Sequence, residues 1–332
     1  MPEIRIDPVT GRWVMISTER ANRPQQSGQS NGSTDIGPCP FCAGNEAMTP
    51  PEVLAFRGAG TQADMPGWTV RVVPNRYPAL VNDGSWIEPA VGFYESKSAA
   101  GVHEVIIESP AHLADMATLG ERQTEKVLRA YRERMLELSK DKRWRSILVY
   151  KNQGAQAGAT LPHVHSQLVA LPAAPKAILE EVDGAKKYFD SKGRCIYCDM
   201  IRQEADDGRR MVAAHERFVA FCPYAPRFPY ETWLFPKEHG AFFEQGSDQE
   251  VAELARSLRD LLMRLNRALD NPPFNFIIHS NPLDDAGSSH YHWHIEILPK
   301  LIQVAGFEWG TGSFINTVAP EDAARRLRQA LP

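Results

Sequence analysis

The sequence has no long apolar run, no basic block and no secretory leader, and each absence excludes a class of partner or location. No stretch approaches the roughly 18 apolar residues that a membrane-spanning helix requires, and the N-terminus MPEIRIDPVTGRW has no basic segment ahead of an apolar one. The formal net charge is −4, so neither nucleic acid nor an anionic membrane is a favoured partner. We therefore expect a cytoplasmic protein without a membrane or nucleic-acid partner.

Cysteine is scarce, with five residues in 332. A chain of this length predicts about two domains and a core that needs no disulfides. Four of the cysteines form two CxxC motifs, Cys39-Pro-Phe-Cys42 and Cys195-Ile-Tyr-Cys198. In a reducing compartment such pairs indicate metal binding or redox chemistry, and the segment after Cys42 lacks the helical pattern of a redox site. Cys222, in the apolar run FVAFCPY, is predicted to be a small buried hydrophobic residue.

The two halves of the chain resemble each other in the order and spacing of their landmarks. Each half contains a CxxC, a lone histidine, an amphipathic helix, a strand, and a histidine-rich strand that ends in Leu-Pro. His112 and His163 lie 51 residues apart, and His239 and His290 lie 51 residues apart as well. The matched spacing predicts an α+β fold built as a tandem repeat, with antiparallel sheets flanked by helices.

The repeat also predicts where the elements and the boundary lie. Apolar residues with helical spacing predict helices near 117–139 and 247–269. We place the first domain at 1–172 and the second at 173–332, with 173–194 as the linker. A Gly/Ser/Gln-rich segment at 24–38 is predicted to be a mobile loop. Whether the two sheets join edge to edge is open at this point.

Each CxxC supplies two of the four tetrahedral ligands that zinc prefers. The repeat predicts two Cys₂His₂ zinc sites, formed by Cys39, Cys42, His112 and His163 in the first copy and by Cys195, Cys198, His239 and His290 in the second. Because four protein ligands close each site, we expect both zinc ions to be structural, with no metal-bound water as a nucleophile. His103 is a rival to His112 and His215 to His239, but the alignment of the two copies favours the named pair.

A catalytic function is indicated by the strand that carries His163, His165 and Gln167. These side chains alternate and therefore face the same way. The segment before them, 152–162, contains two glycines and small side chains, and its N–H groups can cradle phosphate oxygens, with Thr160 as a further donor. This pattern predicts in-line attack of a neutral His165 imidazole on phosphorus, while the second ring nitrogen donates to a nearby carbonyl.

The second copy offers an alternative nucleophile. His290, His292 and His294 complete a full histidine triad, and His292 could take the role assigned to His165. We favour His165, because the segment before the second triad contains Asp284 and Asp285, whose carboxylates repel phosphate.

The chain resembles the galactose-1-phosphate uridylyltransferase family of the histidine-triad superfamily over essentially its whole length. The motifs that carry the resemblance are Asp7-Pro-Val-Thr-Gly-Arg-Trp, Arg20-Ala-Asn-Arg23-Pro, Cys39-Pro-Phe-Cys42, Pro74-Asn75-Arg-Tyr-Pro-Ala, the glycine loop with HVHSQ, and Gly306-Phe-Glu. The resemblance implies two histidine-triad-like domains, a homodimer, and ping-pong chemistry on a nucleotide sugar and a sugar 1-phosphate. UMP from UDP-glucose would be carried on His165 and passed to galactose 1-phosphate.

The resemblance also implies roles for individual residues. Gln167 would hold the phosphoryl oxygens, and Asn75 would lie near the base and ribose. The nucleotide phosphates would be bound by Asn152, Gly158 and Thr160, and the sugar phosphate by Arg20, Arg23 and Lys300.

Two departures from the best-known uridylyltransferases leave the substrate open. Those enzymes carry HPHGQ where this chain has HVHSQ, and they build a second metal site from a glutamate and histidines instead of a CxxC. Both differences bring the chain closer to ADP-glucose phosphorylase, a relative that moves AMP to phosphate. A non-catalytic zinc module that binds nucleotides is a further alternative, and it predicts no covalent labelling.

Overall fold

The computed structural model describes residues 3–6, 13–16, 38–82, 90–285, 289–312 and 314–331. The strands are β1 Glu3–Ile6, β2 Trp13–Ile16, β3 Leu54–Arg57, β4 Trp68–Pro74, β5 Ala90–Val91, β6 Tyr94–Ser98, β7 Val102–Ile107, β8 Ser146–Gln153, β9 His165–Leu171, β10 Met211–Ala214, β11 Phe218–Phe221, β12 Thr232–Pro236, β13 Phe274–His279 and β14 His294–Pro299. The helices are α1 Glu121–Ser139, α2 Lys176–Lys192, α3 Ile196–Asp207, α4 Asp248–Leu269, α5 Gly306–Thr311 and α6 Pro320–Gln329.

Within these residues, a ten-stranded sheet runs through both copies in the order β10-β11-β12-β14-β13-β8-β9-β7-β4-β3. Its neighbouring strands are antiparallel. The copies meet where β13 pairs with β8, from Phe274 opposite Gln153 to Ile278 opposite Val149. The sheets of the two copies are therefore joined edge to edge, and the predicted α+β fold with antiparallel sheets and flanking helices is confirmed.

Helices α1 and α4 cover one face of this sheet. Both were predicted from apolar spacing, and both bury the apolar stripe, which includes Val127, Leu128, Leu254 and Leu258. α4 begins with a capping box, in which Ser247 and Glu250 satisfy backbone N–H groups of the first turn. The even-numbered residues of β9 face these helices, whereas His165 and Gln167 face away from them. The opposite face of the first copy is thus left open for a site.

The segment predicted as a linker is instead a helix. α2 spans Lys176–Lys192, and its residues Ile178, Val182 and Ala185 are buried against strands of the second copy. Their spacing of four and three places them on one face, and the helix ends at Gly193, whose φ of 70° suits a glycine. α2 therefore fills, in the second copy, the face that the first copy leaves open.

The predicted mobile loop at 24–38 lies outside the described residues except for Pro38. No helix in the described part of the chain is long and apolar enough to cross a membrane.

Candidate active site

His165 lies at the start of β9, at the floor of a cavity of about 370 Å³ on the open face. The lining combines apolar side chains with a few polar ones. It consists of Pro38, Pro40, Phe41, Met48, Thr49, Pro50, Val73, Pro74, Asn75, Arg76, Tyr77, Val105, Thr160, Leu161, His165 and Gln167. Four predicted site residues, Asn75, Thr160, His165 and Gln167, thus line one cavity, and the fold brings Asn75 to it from a distant part of the sequence.

The tautomer of His165 is set by its own backbone. Its Nδ1 lies 2.7 Å from the carbonyl oxygen of His163, to which it donates, and Nε2 is therefore the ring nitrogen with a lone pair for attack. Burial disfavours the imidazolium and lowers the pKa of His165 to about 4. The imidazole is therefore neutral at physiological pH, as a nucleophile must be.

The strand that carries His165 rests on a buried ion pair. Lys151 Nζ lies 2.7 Å from Glu108 Oε2 and donates at 3.0 Å to the carbonyl oxygen of His165. Tyr131 of α1 donates to the same carboxylate at 2.9 Å. Both charged groups are almost completely buried and paired with each other. The hydrogen bond from Lys151 to the carbonyl oxygen of His165 therefore helps to hold the backbone of His165 in one position.

The glycine loop, residues 152–162, has two glycines with positive φ angles and is hydrogen-bonded to a residue of the second copy. Gly154 and Gly158 flank a short 3₁₀ turn with φ angles of 83° and 89°, a region that favours glycine. Asn275 of β13 donates from Nδ2 to Asn152 Oδ1 and to the carbonyl oxygen of Ala157, each at 2.8 Å. Asn275 was not predicted from the sequence, since only the pairing of β13 with β8 brings it here.

The first Cys/His cluster has the predicted composition. Cys39 Sγ lies 3.5 Å from His163 Nδ1, and Cys42 Sγ lies 3.4 Å from His112 Nδ1. A tetrahedral ion with metal–sulfur bonds of about 2.3 Å and metal–nitrogen bonds of about 2.0 Å separates such atoms by roughly 3.5 Å. His163 Nε2 donates at 2.8 Å to the carbonyl oxygen of Ser109, which turns Nδ1 toward the cluster. These four residues therefore fit a tetrahedral metal ion.

The second cluster corrects one predicted ligand. It consists of Cys195, Cys198, His239 and His292, and Cys198 Sγ lies 3.3 Å from His239 Nδ1 and 3.5 Å from His292 Nδ1. The predicted ligand His290 lies elsewhere, with Nε2 3.2 Å from Asp285 Oδ2. A shift of two residues keeps a strand side chain on the same face, so the sequence pattern could not separate the two histidines. These four side chains also fit a tetrahedral metal ion.

The two rival histidines belong to neither cluster. His215 Nε2 lies 3.3 Å from Asp260 Oδ2. His103 Nε2 lies 2.9 Å from Gln167 Oε1, beside the cavity. The choice of His112 and His239 from the repeat therefore agrees with the geometry of both clusters.

With His292 in the cluster, the second-copy counterpart of His165 is His294. Its Nδ1 likewise lies near the carbonyl oxygen two residues earlier, at 3.1 Å. Its surroundings differ, because Glu181 of α2, His279 and Glu296 occupy the space that is a cavity in the first copy. Burial alone would lower the pKa of His279, but the carboxylates of Glu296 and Glu181 outweigh it and raise the pKa to about 10. Such a carboxylate-rich position disfavours phosphate, which supports His165 over the second copy as the nucleophile.

Of the three predicted sugar-phosphate ligands, the structure describes only Lys300. Lys300 lies with Nζ 4.7 Å above the ring of Phe228, away from the described cavity lining. Arg20 and Arg23 lie outside the described residues.

Comparison with known proteins identifies the family of the chain. The N-terminal domain model of the galactose-1-phosphate uridyl transferase family matches residues 1–175, and the C-terminal domain model matches residues 181–331. The chain belongs to this family. It is therefore an enzyme of the uridylyltransferase and nucleotidyltransferase class, and the resemblance in the sequence is confirmed.

Two curated proteins with different names are similar to this chain over nearly its whole length. ADP-glucose phosphorylase of Arabidopsis thaliana is 36% identical, over 99% of this chain and 93% of its own. Galactose-1-phosphate uridylyltransferase of Thermotoga maritima is 30% identical, over 99% of this chain and 98% of its own. The crystal structure of an Arabidopsis ADP-glucose phosphorylase with bound ADP-glucose aligns with a TM-score of 0.78 and 35% identity, covering 99% of both chains.

Proposed function

We propose that this enzyme is a UDP-glucose–hexose-1-phosphate uridylyltransferase that works through a covalent UMP-His165 intermediate. The observation that carries the proposal is His165 itself, a buried neutral imidazole whose Nδ1–H is held by a carbonyl and whose ring lines the cavity. Curated relatives named galactose-1-phosphate uridylyltransferase match nearly the whole chain, which supports uridine and galactose 1-phosphate as the substrates.

The chemistry follows from the two nitrogens of His165. In the first half-reaction Nε2 attacks the α-phosphorus of UDP-glucose, a P–N bond forms, and the P–O bond to the leaving glucose 1-phosphate breaks. Nδ1–H keeps its hydrogen bond to the His163 carbonyl oxygen, and this bond stabilises the positive charge on the ring of the adduct. In the second half-reaction a phosphate oxygen of galactose 1-phosphate attacks the phosphorus of the intermediate and forms a new P–O bond. The P–N bond breaks, and His165 leaves as a neutral imidazole.

The remaining predicted residues have supporting roles in this proposal. Gln167 and the glycine loop with Asn152, Gly158 and Thr160 would donate to the phosphoryl oxygens, where charge develops in the transition state. Asn75 would contact the base and ribose. Arg20 and Arg23 would bind the sugar phosphate. Lys300 would share this role only if the sugar phosphate extended beyond the described cavity lining, which does not include Lys300.

Zinc in the two Cys/His clusters would be structural. Each cluster offers four ligands and therefore no open position for a reacting water. In the first cluster the metal would fix His163, whose carbonyl orients His165. We further propose a homodimer, because large aromatic side chains such as Phe93, Tyr94 and Trp309 are 94%, 73% and 71% exposed. We propose a cytoplasmic location, because the cysteines are free thiols, as a reducing compartment keeps them. Sedimentation velocity checks the dimer.

A second candidate function is ADP-glucose phosphorylase, in which AMP would be carried on His165 and passed to phosphate. It is favoured by the 36% identity to the Arabidopsis enzyme and by the second CxxC. The same site chemistry serves both functions, since only the base and the acceptor differ.

Covalent labelling with α-³²P-UDP-glucose and, separately, α-³²P-ADP-glucose tests both functions. We expect acid-labile, alkali-stable label from UDP-glucose in the wild type, none in His165→Ala, and retained label in His294→Ala, the matched control from the second copy. Label from ADP-glucose alone would replace the first function with the second. Label that survives in His165→Ala, or no label from either donor, would reject the mechanism.

A further inference from the structure

His103 is a buried histidine of β7 whose Nε2 lies beside two residues of the cavity lining, 2.9 Å from Gln167 Oε1 and 3.1 Å from Asn75 Nδ2. The N–H of Ala79 donates to His103 Nδ1 at 3.0 Å, so Nδ1 carries no proton. A neutral imidazole has one N–H, which must therefore be on Nε2. This group lies 2.9 Å from Gln167 Oε1 and donates to it. The backbone of Ala79 thus fixes the tautomer of His103, and His103 presents a donor to the glutamine.

Gln167 has an amide with two unlike ends, and its surroundings admit only one orientation. Oε1 also lies 3.1 Å from the hydroxyl of Tyr150 and 3.5 Å from Asn75 Nδ2. Rotating the amide by half a turn would place its NH₂ group against the Nε2–H of His103. The hydroxyl of Tyr150 can donate or accept, so it cannot enforce the orientation by itself. His103 can, because its tautomer is fixed and its Nε2–H makes the shortest of these contacts, at 2.9 Å. Asn75, whose Oδ1 accepts from the N–H of Tyr77 at 2.9 Å, presents its NH₂ group to the same oxygen at the longer distance of 3.5 Å.

We propose that His103 is a positioning residue that holds the NH₂ end of Gln167 toward the transferred phosphoryl group. This inference rests on the proposed function. Phosphoryl oxygens only accept hydrogen bonds, so Gln167 assists transfer with its NH₂ group and opposes transfer with its carbonyl oxygen. Since the charge on these oxygens develops in the transition state, the orientation affects the rate of transfer more than the binding of the donor.

The test combines His103→Leu, which removes the donor, with His103→Gln, whose amide nitrogen can take the place of Nε2. Both are made in the wild type and in Gln167→Ala, and single-turnover formation of the nucleotidyl-enzyme is measured across donor concentrations. We expect His103→Leu to slow the step by roughly 100-fold at saturation, the scale of losing one transition-state donor. His103→Gln should recover most of that loss. The donor concentration that gives half of the maximal rate should barely change in either variant.

The Gln167→Ala background separates positioning from a general structural effect. There, His103→Leu should change the rate by no more than about twofold, because the glutamine it orients is gone. Melting temperatures and metal content confirm folding, and His103→Met replaces the leucine variant if that one does not fold. The inference would be overturned if His103→Leu and His103→Met, which lack an N–H group, formed the nucleotidyl-enzyme at a rate near that of the wild type. It would also be overturned if His103→Leu slowed the step as much in the Gln167→Ala background as in the wild type. If the wild type itself gains no label from either donor, the proposed function fails first and the inference fails with it.

Discussion

Replacing His292 with alanine removes a ligand atom from the second Cys/His cluster, whereas the same change at His290 removes none. His292 is fully buried with Nδ1 3.5 Å from Cys198 Sγ, and His290 is paired with Asp285. Zinc binding by four ligands is worth about 10–16 kcal/mol in small domains, so an equal share per ligand is about 2.5–4 kcal/mol. His292→Ala should therefore weaken zinc at this cluster by roughly 100- to 1,000-fold.

The assay measures zinc per chain by plasma mass spectrometry after dialysis against a graded series of chelator concentrations. The wild type and His290→Ala should retain zinc at both Cys/His clusters, and their curves should coincide. His292→Ala should lose zinc from one cluster at much lower chelator concentration. If His290→Ala loses the zinc and His292→Ala keeps it, the ligand assignment from the structure is wrong.

Three further predictions concern stability. Lys151→Met should destabilise the fold by about 3–5 kcal/mol in urea denaturation, because it leaves the buried Glu108 carboxylate without a cation. Adding Glu108→Gln should recover much of the loss, and equal stability of the single and double variants would refute this. Burial raises the pKa of Glu244, so ionisation of this carboxyl opposes folding. Glu244→Gln should therefore raise the melting temperature most at about pH 8 and least near about pH 4, and a gain in melting temperature that grows on acidification would contradict this. An added methyl at Gly154 would lie 2.9 Å from a proline Cβ, whereas at Gly158 the nearest atom is 3.7 Å away, so alanine should lower the melting temperature more at Gly154 than at Gly158, and the reverse order would show that the loop backbone relaxes.

Local patterns predicted much of the fold. The apolar stripes of α1 and α4 and the alternating strands β8 and β9 are consequences of residue spacing, and the structure has them where spacing places them. The stripe of α2 was present in the sequence as well, at Ile178, Val182 and Ala185. It is a short stripe of three residues in a segment rich in charged side chains, and it becomes a buried face only where it packs against strands of the second copy.

A site residue could be predicted where its type and its spacing in the sequence indicate the same role. It could not be predicted where only the packing of distant segments places it in the site. His165 and Gln167 could be assigned from alternation after a glycine loop. His292 could not be separated from His290, since a difference of two residues preserves the face and only the length of the preceding loop distinguishes them. His103 and Asn275 act through contacts between distant strands, which no local pattern contains.

The pairing of β8 with β13 makes the active site dependent on a strand that is far along the chain. The first half contains His165 and the glycine loop, yet the side chain that braces this loop, Asn275, belongs to a strand that is synthesised more than a hundred residues later. Until β13 docks, β8 is an unpaired apolar edge and the loop lacks its clamp. The second copy, in which Glu181 lies where the first copy has its cavity, thus supplies the strand that braces the active-site loop of the first.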